Sequence, residues 1–264
     1  MSRFHFVAVM VCSFSLLFGP AVAQQPASPQ ISASALLQNS LAAQVGNAQV
    51  SDVTLTGTVR RIAGSDDESG SVTMKVISSG ATRLDFNFPS GPRIEFKSFV
   101  SNTPNGSWSG PDGVFHPIAG HNLVNDWGWF PLFTLAAANT QNYTVSLVGT
   151  ETRNSQSVVH LALSQQFPSL SSSGASLMTH LSQIDIFLDA ATLLPTSITY
   201  NIHPDNNALQ DTPVELRFSD YRATNGAQIP FHAQKFTNNT LSLDIQFQSA
   251  TLNSGLTAAQ VGAQ

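Results

Sequence analysis

The residues of this chain that could do chemistry are few, and their spacing rules out the common catalytic arrangements. The nearest approach to a serine-hydrolase nucleophile elbow is Gly106-Ser107-Trp108-Ser109-Gly110, where Trp108 occupies the position that needs the serine. No histidine is followed by glutamate, so the paired-histidine helix of a zinc peptidase is absent too. His116 and His121 flank Pro117 and Gly120 in a spacing open to a loop metal site, but no acidic partner stands nearer than Asp112 and Asp126. They are read as hydrogen-bonded loop histidines, with no metal expected. Asp66-Asp67-Glu68 lacks the alternating oxygen ligands of a calcium loop and is read as solvated charge at a turn. Asn105, Asn142 and Asn238 each begin an Asn-x-Ser/Thr sequence, which matters only in a glycosylating host. No nucleophile, base and orienting group can be assembled, so the expectation is a protein that is not an enzyme, with no catalytic residue and no cofactor.

The segment from Trp108 to Phe133 is unusual in another way. It holds all 3 tryptophans together with His116, His121, Asn122 and Asp126. A large apolar ring with a single donor suits a ligand rim or lid, and it equally suits a cap packed on a sheet. Trp127 and Trp129 are therefore carried as candidate ligand contacts.

The elements that must position these residues begin with an export signal. Met1 to Ala23 has Arg3 in a positive n-region, an apolar run from Val7 to Phe18, a Gly19-Pro20 break and the small-x-small site Ala21-Val22-Ala23. Cleavage is expected after Ala23, giving a periplasmic or secreted protein that begins at Gln24. The only cysteine, Cys12, lies inside the apolar run and follows Val11, where a lipidation signal would want a small residue. The mature chain is thus expected to lack disulfides, thiolate nucleophiles and cysteine metal sites. No later apolar run reaches the roughly 20 residues of a membrane-spanning helix.

Residues 24–32 read as a spacer, and residues 33–264 as a single domain. Ala33, Leu36, Leu37, Leu41 and Val45 fall at helical spacing and predict an amphipathic helix from Ala33 to Val45 whose polar face carries no charge. Beyond about residue 50 the period drops to two, as in Leu84-Phe86-Phe88 and Leu241-Leu243-Ile245-Phe247. Turn signals at Ser65 to Gly70, Pro89 to Pro92, Pro111-Asp112-Gly113, Asn225-Gly226 and Thr237 to Thr240 separate these strands by short connections. Short connections mean an antiparallel meander. A short second helix is expected at Pro131 to Ala138, and the serine-rich stretch 169–176 reads as a mobile surface loop.

Charged residues make up only 10% of the 264, against about 25% in an average globular protein, and the net charge is −5. Lys75, Lys97 and Lys235 are the only lysines. Such a chain lacks the basic footprint of a nucleic-acid binder.

The C-terminal third carries a family pattern: Asp189-Ala190-Ala191-Thr192-Leu193-Leu194-Pro195 before a strand, then Phe218-Ser219-Asp220-Tyr221, Asn225-Gly226 and Ile229-Pro230-Phe231. Over about 183–250 it resembles the periplasmic lipoprotein carriers and lipoprotein-sorting proteins, with the related lipid-sensing envelope proteins. The resemblance implies a mainly β fold, a curved antiparallel half-barrel sheet wrapped over helices. Its open side would accept an acyl chain, each buried CH₂ contributing about 0.8 kcal/mol. The candidate ligand residues are then the apolar face of the C-terminal strands, Ile184, Ile186, Leu216, Phe218, Leu243, Ile245 and Phe247, with Trp127 and Trp129. Two functions stay open: an extracytoplasmic binding protein for an acylated ligand or lipoprotein, and an envelope scaffold whose concavity is filled by its own side chains and whose partner is another envelope protein.

Overall fold

A computed structural model describes Met1 and residues 31–262, apart from 101–102, 126–127 and 141–142. The expected signal peptide, Cys12, Asp126 and Trp127 lie outside the described residues. From the N-terminus, α1 (Ala33–Val45) leads into β1 (Asp52–Ala63), β2 (Asp66–Ile77), β3 (Thr82–Phe88), β4 (Gly91–Val100), β5 (Thr103–Ser109) and β6 (Phe115–Pro117). A 3-10 turn at Gly120–Leu123 and α2 (Pro131–Thr140) follow. The chain continues through β7 (Tyr143–Arg153), β8 (Gln156–Gln165), α3 (Ser172–Leu181), β9 (Ile184–Asp189) and β10 (Pro195–Ile202). It ends in β11 (Thr212–Thr224), β12 (Ala227–Thr237), β13 (Thr240–Leu252) and α4 (Ala258–Val261).

The strands form one 13-stranded antiparallel sheet in the order β6-β5-β4-β3-β2-β1-β13-β12-β11-β10-β9-β8-β7. Each half is a meander, as the short turns require, and the halves join where β1 pairs with β13. Only the stretch from β6 to β7 must travel from one edge of the sheet to the other. The tryptophan-rich segment belongs to that crossover.

Directly paired residues share a face of the sheet, so the register defines one continuous surface. A single row runs Leu161, Ile186, Ile198, Leu216, Lys235, Leu243, Arg61, Glu68 across eight strands. Beside it run Phe218-Ala233-Ile245-Val59 and Phe247-Gly57-Val72-Phe86-Arg93. Side chains of this face from Phe88 on β3 to Leu163 on β8 belong to one buried cluster with Leu36 and Leu37 of α1 and Leu132, Phe133 and Leu135 of α2. The sheet therefore curls around a single core, and this face is the concave one. Gly128 lies directly on it: a Cβ there would stand 2.8 Å from Leu216 Cδ1, which is why the crossover carries no side chain at that point.

The mainly β fold, the helix at Ala33–Val45 and the helix beginning at Pro131 are as the sequence predicts. Ser32 caps α1 by accepting a hydrogen bond from the Ala35 amide at 3.2 Å. Two local expectations are corrected. The serine-rich stretch at 169–176 is largely helical, because Ser171 caps α3 through the Gly174 amide and Leu181 anchors the last turn in the core. The turn expected from Ser65 to Gly70 is confined to Gly64 and Ser65; residues 66–70 pair with β1. Glu68 is accordingly not solvated, with its side chain 13% exposed and 3.2 Å from Arg61.

One end of the β1–β13 seam is fixed by one carboxylate. Asp52 accepts hydrogen bonds from the Ser254 amide (2.8 Å) and hydroxyl (2.9 Å), the Gly255 amide (3.0 Å) and the Ser51 hydroxyl (3.1 Å). Burial resists its ionisation, but these four donors outweigh it and hold the carboxyl below its usual value of 3.8. Its stabilising contribution is therefore complete above the unfolded pKa and is lost as pH falls through the lower folded value. Asp52→Asn is expected to cost about 1–2 kcal/mol at pH 7. Urea unfolding at pH 7 and pH 2.5 checks this, since the gap between the two proteins must shrink in acid.

Candidate functional site

At one end of the concave face the cover stops and a cleft of about 310 Å³ remains. It lies where β1, β3, β5 and β12 finish and where β4 and β13 begin. Phe86, Phe88, Leu243 and Trp108 supply apolar wall, and Arg61, Arg93, Glu95 and Lys235 supply charge. The strand period explains the mixture. Arg93, Glu95 and Lys97 alternate along β4, so all three point to the concave side, opposite Phe86, Leu84 and Thr82 of β3.

Cations outnumber carboxylates here in a chain that is acidic overall. Arg61 and Arg93 share Glu68 at 3.2 and 3.8 Å, and Glu68 is kept ionised first by the Ser90 hydroxyl, against the effect of burial, and further by the Ser90 amide and Arg61. Deeper in, Lys97 Nζ stands 3.6 Å from Glu95, with side chains 12% and 22% exposed. Burial opposes ionisation of Glu95, yet the charges of Lys235 and Lys97 prevail and hold its carboxyl below the ordinary range. The Trp129 indole N–H helps from a position short of full hydrogen-bond geometry, and Lys235 Nζ lies 5.5 Å from the centre of the same ring. Burial lowers Lys97 to about 8; Glu95 resists that shift and Lys235 adds to it. Arg93 Nε is buried without a hydrogen-bond partner among the described residues, an unmatched donor in a side chain that lines the cleft.

The residues singled out from the sequence fall into three groups. Ile184, Ile186, Leu216, Phe218, Ile245 and Phe247 share the concave face and are closed over, none more than 4% exposed. Leu243 alone of the strand set lines the cleft. Trp129 is buried beneath it at 3% exposure, beside Lys235 and Glu95. Of the remaining tryptophans, Trp108 is 47% exposed at the rim and stacks on His116 at 4.5 Å. Phe86, Phe88 and the charged residues were not singled out. The signal available for them was Arg93, Glu95 and Lys97 at alternate positions in a strand whose other face carries Ile94 and Phe96.

No family model and no curated protein matches the sequence. Solved structures do match the fold. An outer membrane lipoprotein-sorting protein domain from Vibrio parahaemolyticus superposes with a TM-score of 0.54 at 11% identity, covering 86% of this chain and 95% of that one. The fold is like that of the lipoprotein-sorting proteins. A LolA superfamily protein from Nitrosomonas europaea gives 0.52 at 9% identity over 85% of this chain and 95% of its own. A DUF1329 family protein from Desulfovibrio piger gives 0.53 at 14% identity over 87% and 95%. The likeness thus extends across both meanders, well beyond the C-terminal third that carries the sequence pattern. At these identities it concerns the fold; function must be argued from the cleft.

Proposed function

We propose that this protein is an extracytoplasmic, non-enzymatic binding protein for an acylated ligand with an acidic headgroup, handling lipid or lipoprotein in the envelope after cleavage of its signal peptide. The observation that carries this reading is the cleft, where Phe86, Phe88 and Leu243 stand next to Arg61, Arg93 and Lys235. Apolar wall beside cationic side chains fits an amphiphile: the chain buries CH₂ groups while the head meets charge. The named fold relatives include a lipoprotein-sorting protein domain, which agrees with this class of ligand. No described helix is long and apolar enough to cross a membrane.

A second reading, an envelope scaffold that docks another protein, draws on the closure of Ile184, Ile186, Leu216, Phe218, Ile245 and Phe247. One experiment separates the two. The full chain is exported from a bacterial host, purified without detergent and weighed by native mass spectrometry. The expected spectrum shows a polypeptide beginning at Gln24 with a retained acyl species, and denatured protein rebinds a fluorescent fatty acid after refolding. A lipid-free chain that ignores the probe and crosslinks to an envelope protein would favour the scaffold.

A further inference from the structure

On the other side of the crossover, three elements bring histidines to one carboxylate. His180 lies in the last turn of α3, His203 directly follows β10, and Asp211 directly precedes β11. The Nε2 atoms of His180 and His203 stand 3.1 and 3.0 Å from the same Asp211 Oδ1, and one ligand atom from each of the three residues lies within 4.8 Å of the others. The 3-10 turn adds His121, whose ring meets that of His203 edge-on at 5.9 Å between centroids.

We propose that His180, His203 and Asp211 form a divalent transition-metal site, that His121, beside them but outside that cluster, turns in as a fourth donor when the ion binds, and that the preferred ion is Zn²⁺. Imidazole nitrogens with a single carboxylate make a borderline donor set, which suits zinc better than magnesium or calcium. Zinc bonds of 2.0–2.1 Å put neighbouring donors of a tetrahedron roughly 3.3 Å apart. The two distances to Asp211 are already near that edge length, so little rearrangement is needed around the carboxylate.

Two further features point to a ligand at this place. The buried Nε2 of His121 has no hydrogen-bond partner among the described residues, and His203, itself 4% exposed, presents its Nε2 to Asp211. Buried polar atoms in folded proteins are rarely left without a partner, and a cation gives the His121 nitrogen something to bind. His203 is also held in place as a ligand should be. Asn122 donates to its carbonyl at 2.7 Å and accepts from its amide at 2.8 Å, locking the backbone of the residue to the 3-10 turn. His180 and Asp211 remain 40% and 41% exposed, which leaves the ion a route from solvent.

Bound there, the ion ties the crossover, α3 and the β10–β11 connection to one point, so it acts as a clamp on the fold. Untagged protein is stripped with chelator and titrated with Zn²⁺ by calorimetry, with the metal content read by elemental analysis and Tm followed against Zn²⁺ concentration. One Zn²⁺ per chain is expected, with Tm rising as Zn²⁺ rises. His180→Gln and Asp211→Asn change exposed side chains and keep the fold; each is expected to weaken binding at least tenfold and to flatten the Tm response. His116→Gln, in the rim stack with Trp108, binds as wild type does. No uptake by the wild-type protein, or undiminished affinity in either His180→Gln or Asp211→Asn, overturns the proposal.

Discussion

Phe247→Ala is expected to lower the unfolding free energy by about 3–5 kcal/mol, whereas Leu243→Ala on the same strand costs less than about 2. Both residues point to the concave face. Phe247 is 2% exposed and sits opposite Gly57, where β1 shifts register against β13. A Cβ on Gly57 would come within 2.6 Å of the Phe247 Cα and closer still to the Gln246 carbonyl, so the two backbones touch and nothing nearby can collapse into the vacated ring volume. Truncation then costs the transfer of the ring together with a cavity. Leu243 lines the cleft, so its removal enlarges a space that water already reaches. Equilibrium unfolding in urea measures the stabilities, and retained fatty acid is measured on the same preparations. The expected pattern crosses over: Phe247→Ala loses stability and keeps affinity once folded, while Leu243→Ala keeps stability and loses affinity. Equal stability losses would mean that the cleft end is packed as tightly as the middle of the face.

The concave face was legible from sequence because it obeys a local rule. Alternation in Ile184-Ile186, Leu216-Phe218 and Leu243-Ile245-Phe247 assigns each residue a side, and antiparallel pairing brings those sides together. Helix α1 was legible for the same kind of reason, since its spacing and its serine cap lie within 14 residues of chain. What alternation does not state is whether a face is covered. That depends on the crossover, where Gly128 and Trp129 come down on Ile198, Tyr200 and Lys235 from far away in sequence. The charges at the cleft are invisible locally as well: Arg61, Arg93 and Lys235 come from β1, β4 and β12 and meet only because the sheet curls. Composition could have offered a hint, because two of the three lysines, Lys97 and Lys235, occupy inward positions on strands. Helix α3 was missed because serines read as loop until one of them is recognised as a cap.

If the cleft receives an acidic headgroup, Lys235 is the cation whose loss matters most. It lines the cleft, lies over the Trp129 ring and heads the charges that keep Glu95 ionised. Lys235→Met keeps most of the side-chain volume and removes only the charge, so packing against Leu216 and Leu243 is preserved. An acidic amphiphile then loses a partly buried ion pair worth about 2 kcal/mol, which is roughly thirtyfold in Kd. The methyl ester of the same fatty acid never made that pair, and its affinity should stay within about twofold, well under the 1.4 kcal/mol of a tenfold change. Lys97 adds a pH signature, because it gives up its proton near pH 8 and the cleft becomes less positive above that point. Wild-type affinity for the acid is therefore expected to fall between pH 7 and pH 9, while affinity for the ester stays level. Fluorescence titrations of both probes on both proteins read all of these effects. If Lys235→Met weakens the acid and the ester alike, the side chain contributes shape and not charge, and the headgroup need not be acidic.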